Sequence, residues 1–366
     1  MAVVVAAVVS LTVFPVRGDE TDNFYLPADV EFADLGALLE SLHTAAVTKG
    51  VAEMNSKVDR ALKIKNPVAR ERILAQVQSP QALAAAVAHQ FGDPLTETTR
   101  VDAMLRRIES RGLFPGQRVG HEDRSMNFSA HAFYDPRAVL NLLQGSTIKV
   151  FGVHFGTDKL LHFHQVGHRY YARYTAQLDA GADAEDARRE MLRYFGERGL
   201  FAEARGFGSA TTGIYSNGDM AANYSGWKFY LNLSGPVTLR GVQREPLALR
   251  CGIYWRVNDH VRHGSGWFAP FISDHWNEAL NPNLYESGMR KRIRRILEER
   301  AAQIMKYYTA RDGRPATAEY FEELMVELST CDGEDYGHSG QLEKLLHIGN
   351  VCIPALEQEN GRRNGK

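Results

Sequence analysis

A chain of 366 residues can bury a sizeable apolar core, and 44% hydrophobic with 24% charged residues is the make-up of a globular protein, not of a disordered one. Its 43 basic residues are matched by 44 acidic ones, so no global field gathers a polyanion and nucleic-acid binding is not expected. The three cysteines leave at least one thiol unpaired within the chain.

The first residues, MAVVVAAVVSLTVFPVRGDE, hold an apolar run from Ala2 to Phe14 that gives way at once to polar chain. A bilayer asks for roughly 20 apolar residues. The run therefore reads as a signal peptide over residues 1–18, cut ahead of Asp19 after the small residues Val16 and Gly18, although no basic segment precedes it. The mature chain would then be periplasmic or extracellular, without a transmembrane span. A buried strand or a retained anchor is the competing reading.

Residues 19–145 form an N-terminal helical part. Ser79 followed by Pro80 is an N-cap with proline at the first helical position, and QALAAAVAHQF runs from there to the stop at Gly92. Val101, Met104, Leu105 and Ile108 share one face of a second helix from Thr96 to Arg111, ended by Gly112.

Residues 146–288 hold all four tryptophans and carry the motifs. A β-like piece, TIKVFGVHF, leads into GTDKLLHFHQVGHRYY, where the 3.6-residue turn sets Asp158, His162, Gln165 and Arg169 on one stripe and His164 and His168 off it. SNGDMAANYSGWKFY repeats the offsets with Asp219, Asn223, Gly226 and Tyr230, and Ser216 stands one turn earlier. Gly226, lacking a side chain, would let a second helix approach closely. FISDHWNEALNP gives a third stripe, Asp274, Glu278 and Asn281, before Pro282. Asp183 to Gly199 reads as a capped helix, and PVTLRGV with ALRCGIYWRV as a small β-hairpin.

Residues 289–366 return to helix. Met289, Ile293, Ile296, Leu297 and Ile304 line one face, and RKRIRR supplies a solvated opposite face. Asp332 to Glu343 has the outline of a calcium loop, but Tyr336 takes a ligand position and a plain interhelical loop is expected. If any cysteines bridge, Cys331 and Cys352 are the pair; three buried apolar cysteines are the alternative. The expected fold is mainly α, a multi-helix globular domain with a small β-hairpin element, residues 19–366 forming one domain.

An aspartate near a helix start is by itself a cap. Capping does not explain a polar partner one turn later in three segments. Brought together, the stripes would place three aspartates, His162, Asn223 and Glu278 in one interior, which is costly unless the charges are paired or a cation is bound. On the functional reading Asp158, His162 and Asp219 hold a divalent metal ion. Asp274, Glu278 and His162 act as acid and base, while Gln165, Arg169, Ser216, Asn223 and Asn281 bind. His260 and His263 would add imidazoles if their loop folds back. The chain would be a hydrolase of envelope or extracellular material. The rival is a non-catalytic envelope protein that binds glycan, lipid or a protein partner. Nucleophile-elbow, P-loop, H-E-x-x-H and C-x-x-C signatures do not occur.

DKLLHF, SNGDMAANYSG and DHWNEALNP together resemble a set of uncharacterised bacterial envelope proteins. The first two are similar to the D-K-x-x-H-F and S-x-x-D-x-x-x-N-x-x-G patterns of YfiM-like lipoproteins, and VanZ-like membrane proteins share the D-K-x-x-H element. The matching positions are Asp158, Lys159, His162, Asp219, Asn223 and Gly226, within roughly residues 150–285, which adds Lys159 to the binding residues. The chain lacks the lipoproteins' N-terminal cysteine and the VanZ-like spans. The resemblance implies envelope location and no particular reaction.

Overall fold

The computed structural model describes residues 26, 30–92, 94–120, 146–199, 202–204, 213–308 and 314–364; the expected signal peptide lies outside them. The architecture is mainly α, with short two-stranded antiparallel sheets. It opens with α1 (Gly36–Leu62), α2 (Pro67–Val77), α3 (Pro80–Phe91) and α4 (Pro94–Ser110). Ser79 caps α3 as expected, its hydroxyl accepting from Ala82 N at 3.2 Å, and Gly92 ends it at φ 91°. The expected Thr96 helix starts two residues earlier, at Pro94, and stops before Gly112 at φ 59°.

The β-like piece is a hairpin of β1 (Thr147–Val150) and β2 (Val153–Gly156). Phe151 and Gly152, at φ 48° and 82°, supply the left-handed pair that a two-residue hairpin turn demands. A continuous helix over 158–179, α5, follows. It is α-helical over Asp158–Leu161, π-helical over His162–Val166 and α-helical again over Gly167–Asp179. The helix α6 joins Ala184–Arg193, capped by Asp183, to a π turn at Tyr194–Arg198. Next come β3 (Ile214–Tyr215) and α7 (Asn217–Asn232). Almost every residue of α7 is buried, on all its faces, so it is the central helix around which α5, the hairpins and the aromatic segment 267–276 pack.

Where one hairpin was expected, two form. PVTLRGV folds as β4 (Val237–Leu239) with β5 (Val242–Arg244), and ALRCGIYWRV as β6 (Ala248–Cys251) with β7 (Tyr254–Val257). The strand β8 (Leu284–Tyr285) pairs with β3. The C-terminal part holds α8 (Ser287–Glu299), α9 (Ala301–Tyr307), α10 (Ala318–Leu328) and α11 (Ile348–Asn364). The basic face of α8 is solvated and laced by exposed pairs, Arg294 with Glu298 and Arg295 with Glu299. The Asp332–Glu343 stretch is a loop whose acids are engaged elsewhere: Asp332 accepts from Gly241 N, and Glu334 from Lys228 Nζ at 2.6 Å.

The apolar interior falls into two clusters. One gathers α1, α3, α5 and α7; the other joins α8 to α11 with Phe32, Ala279, Leu280 and Tyr285. This division accounts for the cysteines. Cys331 packs against the first cluster and Cys352 sits inside the second, so the expected pair does not bridge and all three thiols are free. No helix among the described residues is long and apolar enough to cross a membrane.

Candidate functional site

The ends of α5 and α7 meet the 276–283 segment at a buried ionic centre. Ser216 is the N-cap of α7: its hydroxyl accepts from Asp219 N at 3.0 Å and donates to Glu278 Oε1 at 2.8 Å. Its own N–H donates to Glu203 Oε1 at 2.9 Å. Capping therefore falls to Ser216 and leaves the Asp219 carboxylate for other work. Asp158, the first residue of α5, is likewise engaged side chain to side chain, with Lys159. The ammonium of Lys159 lies 2.8 Å from Asp158 Oδ2, 2.7 Å from Asp219 Oδ1 and 2.9 Å from Glu278 Oε1. The Asp219 contact is an ion pair by distance, but its Oδ1 is not aligned as a hydrogen-bond acceptor. Lys159 and Glu278 are 0% exposed, His162 2%, Asp219 3% and Asp158 6%.

His162 stands between the two helices. Its Nδ1 is 3.0 Å from Asn223 Oδ1 and its Nε2 is 3.3 Å from Asp219 Oδ2. An imidazole that donates Nδ1–H to an amide oxygen aims its Nε2 at the carboxylates, the orientation in which a histidine with an outer partner ligates a metal ion. One ligand atom each from Asp158, His162 and Asp219 lies within 4.8 Å of the others, a group that could hold a metal ion. Like Asp219 Oδ1, the carboxylate oxygens Asp158 Oδ1 and Glu278 Oε2 of this centre are buried with no hydrogen-bond partner among the described residues.

Three carboxylates face one ammonium, and a sealed interior cannot carry that excess of negative charge unrelieved. Burial pushes the Glu278 carboxyl up to about 7, the charges of Asp158 and Asp219 adding to the rise and Lys159 opposing it. Burial also raises Asp158, against the pull of Lys159. Asp219 goes the other way: burial would raise it, but His162 and Lys159 together hold it below the usual carboxylate range. The environments thus separate the acids, with Asp219 the settled anion and Glu278 the group that keeps a proton near neutrality.

Of the expected site residues, the fold brings together Asp158, Lys159, His162, Ser216, Asp219, Asn223 and Glu278. The others diverge. Gln165 donates to the carbonyl of Gly92 at the end of α3. The π turn over His162–Val166 carries one residue more than an α turn, which swings positions after it out of the stripe a uniform wheel assigns, and Arg169 ends exposed. The third stripe is not a helix. Asp274–Trp276 is a single 3-10 turn, and Asn277, extended at ψ 106°, ends it, its side-chain oxygen taking Ala279 N instead of releasing it to a helical carbonyl. Asp274 is half-buried in that turn and does not belong to the group of close ligand atoms; Glu278 reaches the centre without it. Asn281 donates to His275 O at 2.7 Å and to Tyr336 OH at 3.0 Å, a purely structural tie. His263 is exposed and His260 half-buried on the turn Asp259–Arg262, so neither joins His162. Glu203, 3% exposed, is the member that sequence reasoning missed, because nothing in FAEARG sets it apart from a surface acid.

Fold and site define a mainly α protein built around a buried lysine, carboxylate and histidine centre. Comparison with protein-family models, with curated proteins and with solved structures finds no match to the chain.

Proposed function

We propose that the protein is a metal-binding protein of the cell envelope or extracellular space, in which a divalent cation between Asp158, His162 and Asp219 ties α5 to α7. The observation that carries this reading is the surplus of charge around Lys159, whose one ammonium meets the carboxylates of Asp158, Asp219 and Glu278 in a sealed centre. A dication would bring that surplus near zero and would give Asp158 Oδ1 the partner it lacks. Two carboxylates and an imidazole suit zinc, manganese or iron better than calcium. Envelope or extracellular location rests on the N-terminal apolar run and on the motif resemblance. The burial of every ligand sets the role: a polymeric substrate does not reach carboxylates that are at most 6% exposed, so the cation serves the architecture.

A second reading, metal-assisted hydrolysis, has one specific support, the Glu278 carboxyl poised at about 7 beside Ser216 and Lys159. It demands an opening of the segments that cover the centre. Elemental mass spectrometry on chain purified without a metal-affinity tag tests the main reading. One equivalent of a dication is expected in the native chain, with loss of metal and retention of the fold in Asp158→Asn. Chain that stays metal-free after incubation with zinc, manganese and iron(II) would leave a centre balanced by protons alone.

A further inference from the structure

The helix phase that aims Asp158 and His162 at the ionic centre aims Leu160 and His164 away from it, into the wall of a cleft of about 520 Å³ between α1, α4 and the end of α3. Its walls are apolar, among them Leu39, Ala46, Met104 and Ile108, and at its mouth Leu42 and Leu113 stand 44% and 54% exposed. Apolar side chains left open around a chamber of this size are the mark of a small-molecule site.

The floor is a hydrogen-bonded pair of imidazoles. His43 Nδ1 donates to Leu39 O at 2.7 Å, so its Nε2 accepts from His164 Nε2–H, the two nitrogens lying 2.8 Å apart. His43 stacks on Phe268 and His164 on Phe91, with ring centroids 3.7 Å and 3.8 Å apart. Among the described residues the lining carries formal charge only at the rim, where Lys49, Arg107 and Arg111 supply cations. The three are exposed, and no ion pair engages them among the described residues.

An apolar chamber floored by a hydrogen-bonded imidazole pair and, among the described residues, rimmed by cations is complementary to a molecule with an apolar tail and a single anionic head. We propose that the cleft binds a free long-chain fatty acid, the acyl chain against the α1 and α4 walls and the carboxylate held at the mouth by Arg107, Arg111 and Lys49, guanidinium groups being suited to grip a carboxylate with two parallel hydrogen bonds. The site is separate from the ionic centre and does not depend on a cation there.

Fluorescence titration of the full chain with cis-parinarate, an 18-carbon carboxylate, tests this. One saturable site in the low micromolar range is expected, with palmitate displacing the probe. Hexadecyltrimethylammonium, which has the same chain length as palmitate and a cationic head, should displace it at least tenfold less well below its micelle threshold. Arg107→Gln/Arg111→Gln and, separately, Leu42→Glu, all at exposed positions, should each weaken binding at least tenfold without moving the melting temperature. Equal displacement by the cationic surfactant, or binding indifferent to these substitutions, would overturn the assignment. So would capture of phosphatidylglycerol vesicles without binding of monomeric parinarate, which would make the face a membrane contact.

Discussion

A β-carbon placed on Gly167 would stand 2.6 Å from the Cα of Gly226, and one placed on Gly226 would overlap the carbonyl oxygen of Phe163. Here α5 and α7 touch backbone to backbone, and the atoms in the way are main chain that no rotamer change can move. Gly226→Ala must therefore push the helices apart and draw Asp219 off Lys159. A loss of about 3 kcal/mol is expected, the upper range for overpacking, read as a lower urea midpoint. An unchanged midpoint would mean that the helices do not meet there.

Removing Lys159 leaves three buried carboxylates with no ammonium. Lys159→Met should cost about 3–5 kcal/mol at neutral pH, the range for breaking a buried ion pair on one side. Adding Glu278→Gln removes one of the stranded charges and should recover part of the loss, so the two substitutions are non-additive. Denaturation of both single variants and the double variant measures the coupling; simple additivity would place the two side chains in separate environments.

The Glu278 carboxyl gives the stability a pH signature with a definite sign. In the folded chain it holds its proton up to about 7, against an ordinary 4.5, so folding strengthens proton binding. Its contribution is whole below about 4.5 and is lost as the pH rises through 7, a span worth about 3 kcal/mol. Asp158, raised as well, acts in the same sense, while the lowered Asp219 contributes stability that is lost only as the pH falls through its own depressed range. Metal-free chain should lose melting temperature between about pH 5 and pH 8, and Glu278→Gln should flatten that slope. A dication, which competes with the protons, should reverse it.

The thiols differ in reach. Burial pushes Cys331 and Cys352 up to about 12, whereas Cys251 lies exposed on β6. Iodoacetamide at about pH 8 should alkylate Cys251 in the native chain and the other two only after unfolding. Peptide mapping of native chain should find no bridge, and a Cys331–Cys352 disulfide would contradict the division of the core into two clusters.

Much of this was written in local chemistry. Ser79, Pro80 and Gly92 mark α3 because cap, first-turn proline and left-handed stop are each decided within a turn of the chain. The pairs Asp158 with His162 and Asp219 with Asn223 were legible because four-residue spacing shares a face, and Gly226 because a missing side chain on a buried helix invites a neighbour. Gln165 and Asp274 were misplaced for the same reason: a wheel assumes an unbroken α-helix, and neither a π turn nor an Asx turn at Asn277 shows in a hydrophobic pattern. Lys159 stands one residue off the stripe, yet its length and flexibility let it reach the centre of the carboxylates. Glu203 came from a segment with no periodic signal at all.

The centre is gathered from far along the chain: His162 meets Asn223 across 61 positions, and Ser216 meets Glu278 across 62. Until the last of these segments arrives, the ammonium of Lys159 and its acids have only water to neutralise them. Closing the interior between residues 158 and 283 thus requires loops of such lengths to be closed before their contacts repay the lost entropy. A chain interrupted before Glu278, by a stalled ribosome or a protease, would have its first two motifs intact and an unfinished interior to put them in.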